Sequence, residues 1–352
     1  MRAGWAGVKL GEVCELKYGK SLKDADRSGA GFPVYGSNGI VGYHRQTLTA
    51  GPAIVVGRKG SYGEINVSAT SCWPIDTTYY VDRTCTAADL GWLGYRIASL
   101  GLNTMNRAAA VPGLNREDAY RQEFLLPPIE EQRRIAAILD KADELRAQRR
   151  AALAQLDTLT EAIFIDMFGD PLTWHQYPPT GTTAETTLGA LASITTGKLD
   201  ANAADADGQY PFFTCSRETL RINKAAFDGK AILVAGNGDL NVKYYEGKFN
   251  AYQRTYVIKS RDESKADPKF LHGFLNIYVS RLREQAIGGV IKYIKLPYLT
   301  DAVVRLPDIS TQGRFVGLSE STERMQQQSG LAGRAVETVF SALQQRAFSG
   351  AL

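Results

Sequence analysis

The chain is written twice. Leu10-Gly11-Glu12 through Tyr18-Gly19-Lys20 returns as Leu188-Gly189-Ala190 through Thr196-Gly197-Lys198. Phe32-Pro33 returns as Tyr210-Pro211, and Ala53-Ile54-Val55-Val56 as Ala231-Ile232-Leu233-Val234. Gly60 falls on Gly238, Asp89 on Asp267 and Leu93 on Leu271, all at the offset 188 − 10 = 178. From Leu126-Pro127 and Leu306-Pro307, through Gln132 and Gln312, to Phe168 and Phe348, the offset is 306 − 126 = 180. The second copy is therefore expected to carry two extra residues between the positions of Leu93 and Leu126. A repeat this long is a duplicated domain with a duplicated helix, since solenoid periods are short. Such a chain presents two similar surfaces related by a pseudo-two-fold axis, and a two-part ligand is the natural match.

Within each copy two textures alternate. Residues 8 to about 124 carry short apolar runs, such as Ala53–Val56 and Thr77–Val81, bounded by glycines, which is strand-and-turn punctuation. One helix is expected from about Ala87 to Leu100, with Asp267–Arg283 as its equivalent. From Pro128 to Phe168 glycine and any further proline are absent, and the pattern predicts a helix of about 40 residues, about 60 Å long. Its expected seam runs Ile135, Ile138, Ala142, Leu145, Ala152, Leu156, Leu159, Ile163, interrupted by Arg149. The second copy repeats it as Phe315, Leu318, Thr322, Met325, Ser329, Ala332, Val336, Val339, Leu343. The pattern divides the chain at 1–127, 128–169, 170–187, 188–307 and 308–352: domain, helix, linker, domain, helix. The fold class expected is α+β, with two mixed, β-rich domains separated by an antiparallel coiled coil. The alternative, each helix packing on its own domain, leaves much of a helix that long uncovered.

Composition narrows the chemistry. With 44% hydrophobic and 22% charged residues and a net charge of +4, the chain is an ordinary globular protein, mildly basic. Four scattered cysteines and three separated histidines argue against a disulfide framework and against a metal site. No run approaches a membrane span and no signal-peptide core opens the chain, so a cytoplasmic protein without membrane contact is expected. There is no GxxxxGK[ST] phosphate loop, and Gly57-Arg58-Lys59-Gly60 and Gly236-Asn237-Gly238 lack the remaining features of a dinucleotide fingerprint. The [DNS]PP[YFW] motif of adenine methyltransferases is absent, and Glu263-Ser264-Lys265 reads as a solvated turn. Binding, not catalysis, is the better class.

The loops carry the candidate contacts. Arginine suits guanine and asparagine adenine through paired bonds, while lysine and serine suit phosphates. In the first copy these are Lys20, Ser37, Asn38, Arg58, Lys59, Ser61, Tyr62, Asn106 and Arg107. In the second they are Lys198, Ser216, Arg217, Asn237, Asp239, Lys292 and Tyr293. Scaffold residues match between copies and loop residues differ, as expected of two readers of different sequences on one rigid frame.

Leu126-Pro127-Pro128-Ile129-Glu130-Glu131-Gln132-Arg133-Arg134-Ile135 leads into the first long helix, and Phe168-Gly169-Asp170-Pro171 closes it. With the Leu-Gly openings, the Gly36-Ser37-Asn38-Gly39 turn and the Gly57–Gly60 loop, the chain resembles the specificity subunit of Type I restriction–modification systems over essentially its whole length. The second copy is more degenerate, with Leu306-Pro307-Asp308-Ile309-Ser310-Thr311-Gln312 and Phe348-Ser349-Gly350. The resemblance implies two target-recognition domains reading halves of a split site in double-stranded DNA, and helices that set the spacer. It implies two methyltransferase subunits as partners, forming an adenine-N6 methyltransferase, and motor-nuclease subunits for restriction. S-adenosylmethionine would sit in the methyltransferase; this chain would bind no cofactor and carry no catalytic residue. Two other readings stay open: an S-like reader in another DNA-modification or defence assembly, and a protein–protein scaffold that binds no DNA.

Overall fold

A computed structural model of the chain describes residues 4–105, 113–176 and 184–352. It divides into two compact units, Met1–Arg150 with Ala332–Leu352, and Ala151–Leu331. The division cuts both long helices, so each unit contains half of each.

In unit 1 the chain runs β1 (Ala6–Lys9), α1 (Leu10–Val13), β2 (Lys17–Tyr18), β3 (Phe32–Gly36), β4 (Gly39–His44), β5 (Ala53–Gly57), β6 (Ile65–Ser68), β7 (Trp73–Pro74), β8 (Thr78–Asp82), α2 (Leu90–Ala98), α3 (Arg116–Tyr120), β9 (Glu123–Leu126) and α4 (Ile129–Phe168). The strands form sheets ordered β2-β8-β5-β6, β4-β3-β7 and β1-β9. The central strand β5 is buried on both faces, and the two-residue strand period sorts its side chains. Ile54 and Val56 face a core with Trp92, Leu93 and Ile97 of α2 and Ile135 and Leu139 of α4. Ala53 and Val55 face Tyr35 of the three-stranded sheet and Cys72 just before β7.

Unit 2 repeats this with β10 (Ala184–Thr187), α5 (Leu188–Leu191), β11 (Ala192–Thr196), β12 (Tyr210–Phe213), β13 (Leu220–Ile222), β14 (Lys230–Ala235), β15 (Val242–Glu246), β16 (Asn250–Ala251), β17 (Thr255–Ser260), α6 (Pro268–Gln285), α7 (Leu296–Thr300), β18 (Val303–Leu306) and α8 (Ile309–Ser349). Its sheets are ordered β11-β17-β14-β15, β13-β12-β16 and β10-β18, the same topology. Ile232 and Val234 face Phe270, Phe274 and Phe164, while Ala231 and Leu233 face Phe213 and Phe249.

Between Gly60 and Asp89 the offset departs from the constant 178 that the sequence anchors gave. Ala53 pairs with Ser68 and Ala231 with Tyr245, so from β6 onward the offset is 245 − 68 = 177. It stays there through β8, where Ile54 pairs with Val81 and Ile232 with Ile258, 258 − 81 = 177. It returns to 178 at the helix caps Asp89 and Asp267. The turn after Gly238 is one residue shorter than the turn after Gly60. Loop tips absorb such changes, whereas a slip inside a strand would turn its core face outward. The helices differ more. The expected 87–100 helix spans only Leu90–Ala98, while its counterpart runs on to Gln285. Gly101 adopts a left-handed φ of 66° just beyond the first. Val279 occupies the matching position, and a β-branched residue is barred from the left-handed conformation that Gly101 adopts.

The seam of the long helices also needs correction. Leu145, Leu318, Met325 and Val339 are exposed, at 54%, 47%, 45% and 66%. The inward positions are Ile135, Leu139, Ala142 and Arg146 in α4, and Phe315, Ser319, Thr322 and Gln326 in α8. At these four places the inward position therefore lies one residue later than apolar character alone placed it. Arg146 takes such a place by lying over the Phe340 ring, 3.9 Å from its centroid, and pairing with Glu337. Gln326 donates to the Leu156 carbonyl at 3.0 Å. Within each unit the two helix halves run antiparallel.

Candidate nucleic-acid interface

In unit 1 the glycine-punctuated loops converge on the turn Asp76-Thr77. The Thr77 carbonyl accepts from Arg58 N at 2.9 Å, Lys59 N at 3.1 Å and Ser37 Oγ at 2.6 Å. Ser37 was expected to face DNA; it is 7% exposed, and its hydroxyl is spent on the scaffold. A buried hydroxyl needs an acceptor, and this carbonyl supplies it. The second unit has the same device: Arg254 O accepts from Gly236 N at 2.8 Å and from Cys215 Sγ at 3.5 Å. A second pair of matching bonds ties in the chain before α3 and α7. Leu114 N donates to Arg58 O and Ile294 N to Gly236 O, each at 2.9 Å. Tyr79 Oη donates to Leu114 O and Tyr256 Oη to Ile294 O, each at 3.2 Å. Burial raises both phenols, Tyr79 to about 12, which keeps them neutral donors. Glycine is required at the end of β2 and β11: a Cβ on Gly19 would lie 2.1 Å from Ile75 O, and one on Gly197 1.8 Å from Ala251 O.

On this shared frame the rim side chains differ. In unit 1, Arg58 and Arg116 lie over the Tyr18 ring, each with its guanidinium carbon 5.2 Å from the centroid. Tyr18 is 52% exposed. Arg58 Nε and Nη2 both donate to Asp76 O, at 3.2 and 2.7 Å. Lys20, Asn38, Lys59 and Ser61 are exposed. Tyr62 packs against the unit's main core. Asn106 and Arg107 lie outside the described residues. In unit 2, Thr196, Gly236 and Leu296 stand where unit 1 has Tyr18, Arg58 and Arg116.

Unit 2 gathers its expected contacts in two groups. Arg217 Nε donates to Asp239 Oδ2 at 2.7 Å, which holds that carboxyl below its usual range. Asn241 Nδ2 binds Cys215 O and Asp239 O at 2.9 and 2.8 Å, tying the two loops together, and Lys243 Nζ donates to Ser216 O at 2.5 Å. Separately, Asn237 is bridged to Tyr293, and Gly238 N donates to Lys292 O at 2.9 Å. Lys292 and Tyr293 are exposed, as is Lys198. The sequence reading missed Tyr18 and Arg116 as candidates. The usable signal was the Arg116/Leu296 exchange two residues past the matched Leu114/Ile294.

Among the described residues no cluster of His, Cys, Asp and Glu could hold a metal, and no helix is long and apolar enough to cross a membrane. Cys14, Cys72 and Cys85 are buried and Cys215 half-buried, all unpaired.

A duplicated α+β frame with matching anchors and differing rims defines a two-unit, loop-presenting binding protein. The model of the family "Type I restriction modification DNA specificity domain" matches residues 2–155 and 182–317, and the chain belongs to that family. Over 125 residues it is 50% identical to the "Type I restriction enzyme EcoDI specificity subunit" of Escherichia coli; the stretch is 36% of this chain and 28% of that relative. The crystal structure of a "Type-I restriction-modification system S subunit from M. genitalium" shares the fold, with a TM-score of 0.64 at 14% identity over 98% of this chain and 96% of that one. A structure described as "Structural basis underlying complex assembly and conformational transition of the type I R-M system" matches with a TM-score of 0.63 at 15% identity, over 100% and 99% of the two chains.

Proposed function

We propose that this chain is the DNA-reading subunit of a Type I restriction–modification assembly, with unit 1 reading one half of a split duplex site and unit 2 the other. The observation that carries this reading is the pairing of identical anchors with different rims. Ser37 and Cys215, or Tyr79 and Tyr256, make the same bonds. Tyr18, Arg58 and Arg116 are replaced by Thr196, Gly236 and Leu296 at the equivalent positions of the second copy. Identical frames fix two loop clusters; different side chains give each its own sequence preference. The long helices set the spacer between half-sites. Two methyltransferase subunits hold S-adenosylmethionine and transfer its methyl group to adenine N6, while motor-nuclease subunits add restriction; this chain supplies the address and no reacting group. Leu145 and Val339 in unit 1 and Leu318 and Met325 in unit 2 are exposed apolar residues on these helices, suited to covering by the two partners.

The test is duplex binding by the chain assembled with its methyltransferase partner, across a range of salt. Each phosphate contact contributes about −0.9 to the log–log slope, so the exposed Lys20, Lys59, Lys198 and Lys292 predict steep salt dependence. A flat slope, or an assembly that forms yet selects no DNA, returns the reading to a protein scaffold.

A further inference from the structure

We propose that unit 1 reads a guanine through Arg58, with Asp76 and Tyr18 holding the guanidinium in reading position. This rests on the DNA-reading role above and names the base. A guanidinium has five N–H donors in a rigid fork. Nε and one hydrogen of Nη2 are committed to Asp76 O. The end edge, formed by Nη1 and the remaining hydrogen of Nη2, meets no acceptor among the described residues, and it carries two parallel donors. In the major groove guanine alone presents two acceptors on one edge, O6 and N7. Adenine offers one acceptor beside a donor, thymine one acceptor beside a methyl, and cytosine a donor. The free edge of Arg58 therefore matches one base.

The side chain is also fixed before any ligand arrives. Its guanidinium carbon lies 5.2 Å from the Tyr18 centroid and 5.9 Å from that of Tyr79. Its backbone is pinned from both sides, by Thr77 O and by Leu114 N, each at 2.9 Å. An arginine already held in one rotamer loses little freedom on binding, which favours discrimination over mere attraction. Arg116 adds a second cation over the same ring; its Nε is buried without a hydrogen-bond partner, and the nearest carboxylate, Glu117, lies 3.9 Å away. Tyr18 is a positioning residue here, not a base contact. Unit 2 has neither the ring nor either guanidinium, so its half-site must be read by other means.

The experiment is selection from randomised duplexes by the full chain assembled with its methyltransferase partner. The wild type is expected to require a G·C pair at one position of one half-site. Arg58→Ala removes the fork. It is expected to lower discrimination at that one position by roughly 5- to 150-fold, leaving the salt slope and every other letter unchanged. Tyr18→Phe keeps the ring and the preference, whereas Tyr18→Leu relaxes the same position. The preserved letters of the other half-site report that the variants are folded. Equal weakening on all sequences would make Arg58 a phosphate contact and overturn the assignment, as would relaxation at an A·T pair or intact discrimination in Arg58→Ala. A wild-type assembly that selects no sequence would overturn the DNA-reading role itself.

Discussion

Gln132 and Gln312 show how much one side chain can hold. Gln132 Oε1 accepts from Asp89 N and its Nε2 donates to Pro127 O, both at 2.8 Å; Gln312 does the same with Asp267 N and Pro307 O. Both are buried, at 4% and 0% exposure. Each glutamine bolts the entry of a long helix to the cap of α2 or α6, which explains a glutamine at that place in both copies. Gln132→Leu strands a buried N–H and a buried carbonyl, and it is expected to cost about 2–4 kcal/mol in unit 1. Gln132→Glu keeps the acceptor but sets a buried carboxylate against the Pro127 carbonyl, so at neutral pH it should cost at least as much. Denaturant unfolding of the full chain, followed by probes in each unit, separates the two. A loss under about 0.5 kcal/mol for Gln132→Leu would mean that water substitutes for the amide. The repeated glutamine was legible in the sequence; its bond to the helix cap was not, because Asp89 and Asp267 lie 43 and 45 residues away and only the fold brings them back.

At the scale of elements, the long helices teach the limits of apolar patterning. The heptad was readable and half of its positions were right, since Ile135, Ala142, Ile163, Phe315 and Thr322 all face inward. The alternate positions were misread because Leu145 and Met325 are apolar and their neighbours Arg146 and Gln326 are not. Packing reversed that choice: a guanidinium lying on Phe340 and an amide bonded to a helix carbonyl fill those places. Glycines give a second test of α8. Gly313, Gly317 and Gly330 are helical, and a Cβ on any of them would meet nothing within 4 Å. Replacing all three with alanine should stabilise unit 2 by about 2–3 kcal/mol through helix propensity. A rise in the urea midpoint of unit 2 checks this; an unchanged or lower midpoint would show that the glycines are needed as they stand.

At the scale of the whole molecule, the proposed spacer role of the helices makes a quantitative prediction. Arg146 pairs with Glu337 in unit 1, and Leu156 with Gln326 in unit 2, so facing positions run in opposite directions along the two helices. Insertions that preserve the pairing must therefore go at facing places, not at places equivalent in the repeat. One heptad between Arg150 and Ala151 and one between Leu331 and Ala332 meet that condition, and they fall at the boundary between units. Each lengthens its helix by about 10 Å, which is about three base pairs of DNA. Methylation-site mapping should show the same half-site letters with a spacer about three pairs longer, at reduced activity because the DNA twist also changes. An unchanged spacer would remove the helices from that role.

By itself the sequence determined the duplication, the mixed α+β character, the two long helices and the loops worth suspecting, because each leaves a local trace: a repeated word, a period, a glycine. It also carried the family resemblance, through motifs whose physical reason is now visible in the buried glutamines and the matched loop anchors. Only the tertiary structure decided which loop residues are scaffold and which are rim. Ser37 and Tyr62 turn inward, Arg217 and Asp239 neutralise one another, and Tyr18 meets Arg58 and Arg116 from segments about forty and a hundred residues away. Hydrogen bonds and ring contacts of that kind depend on distance in space, and residue type states what a side chain can do, not what is within its reach.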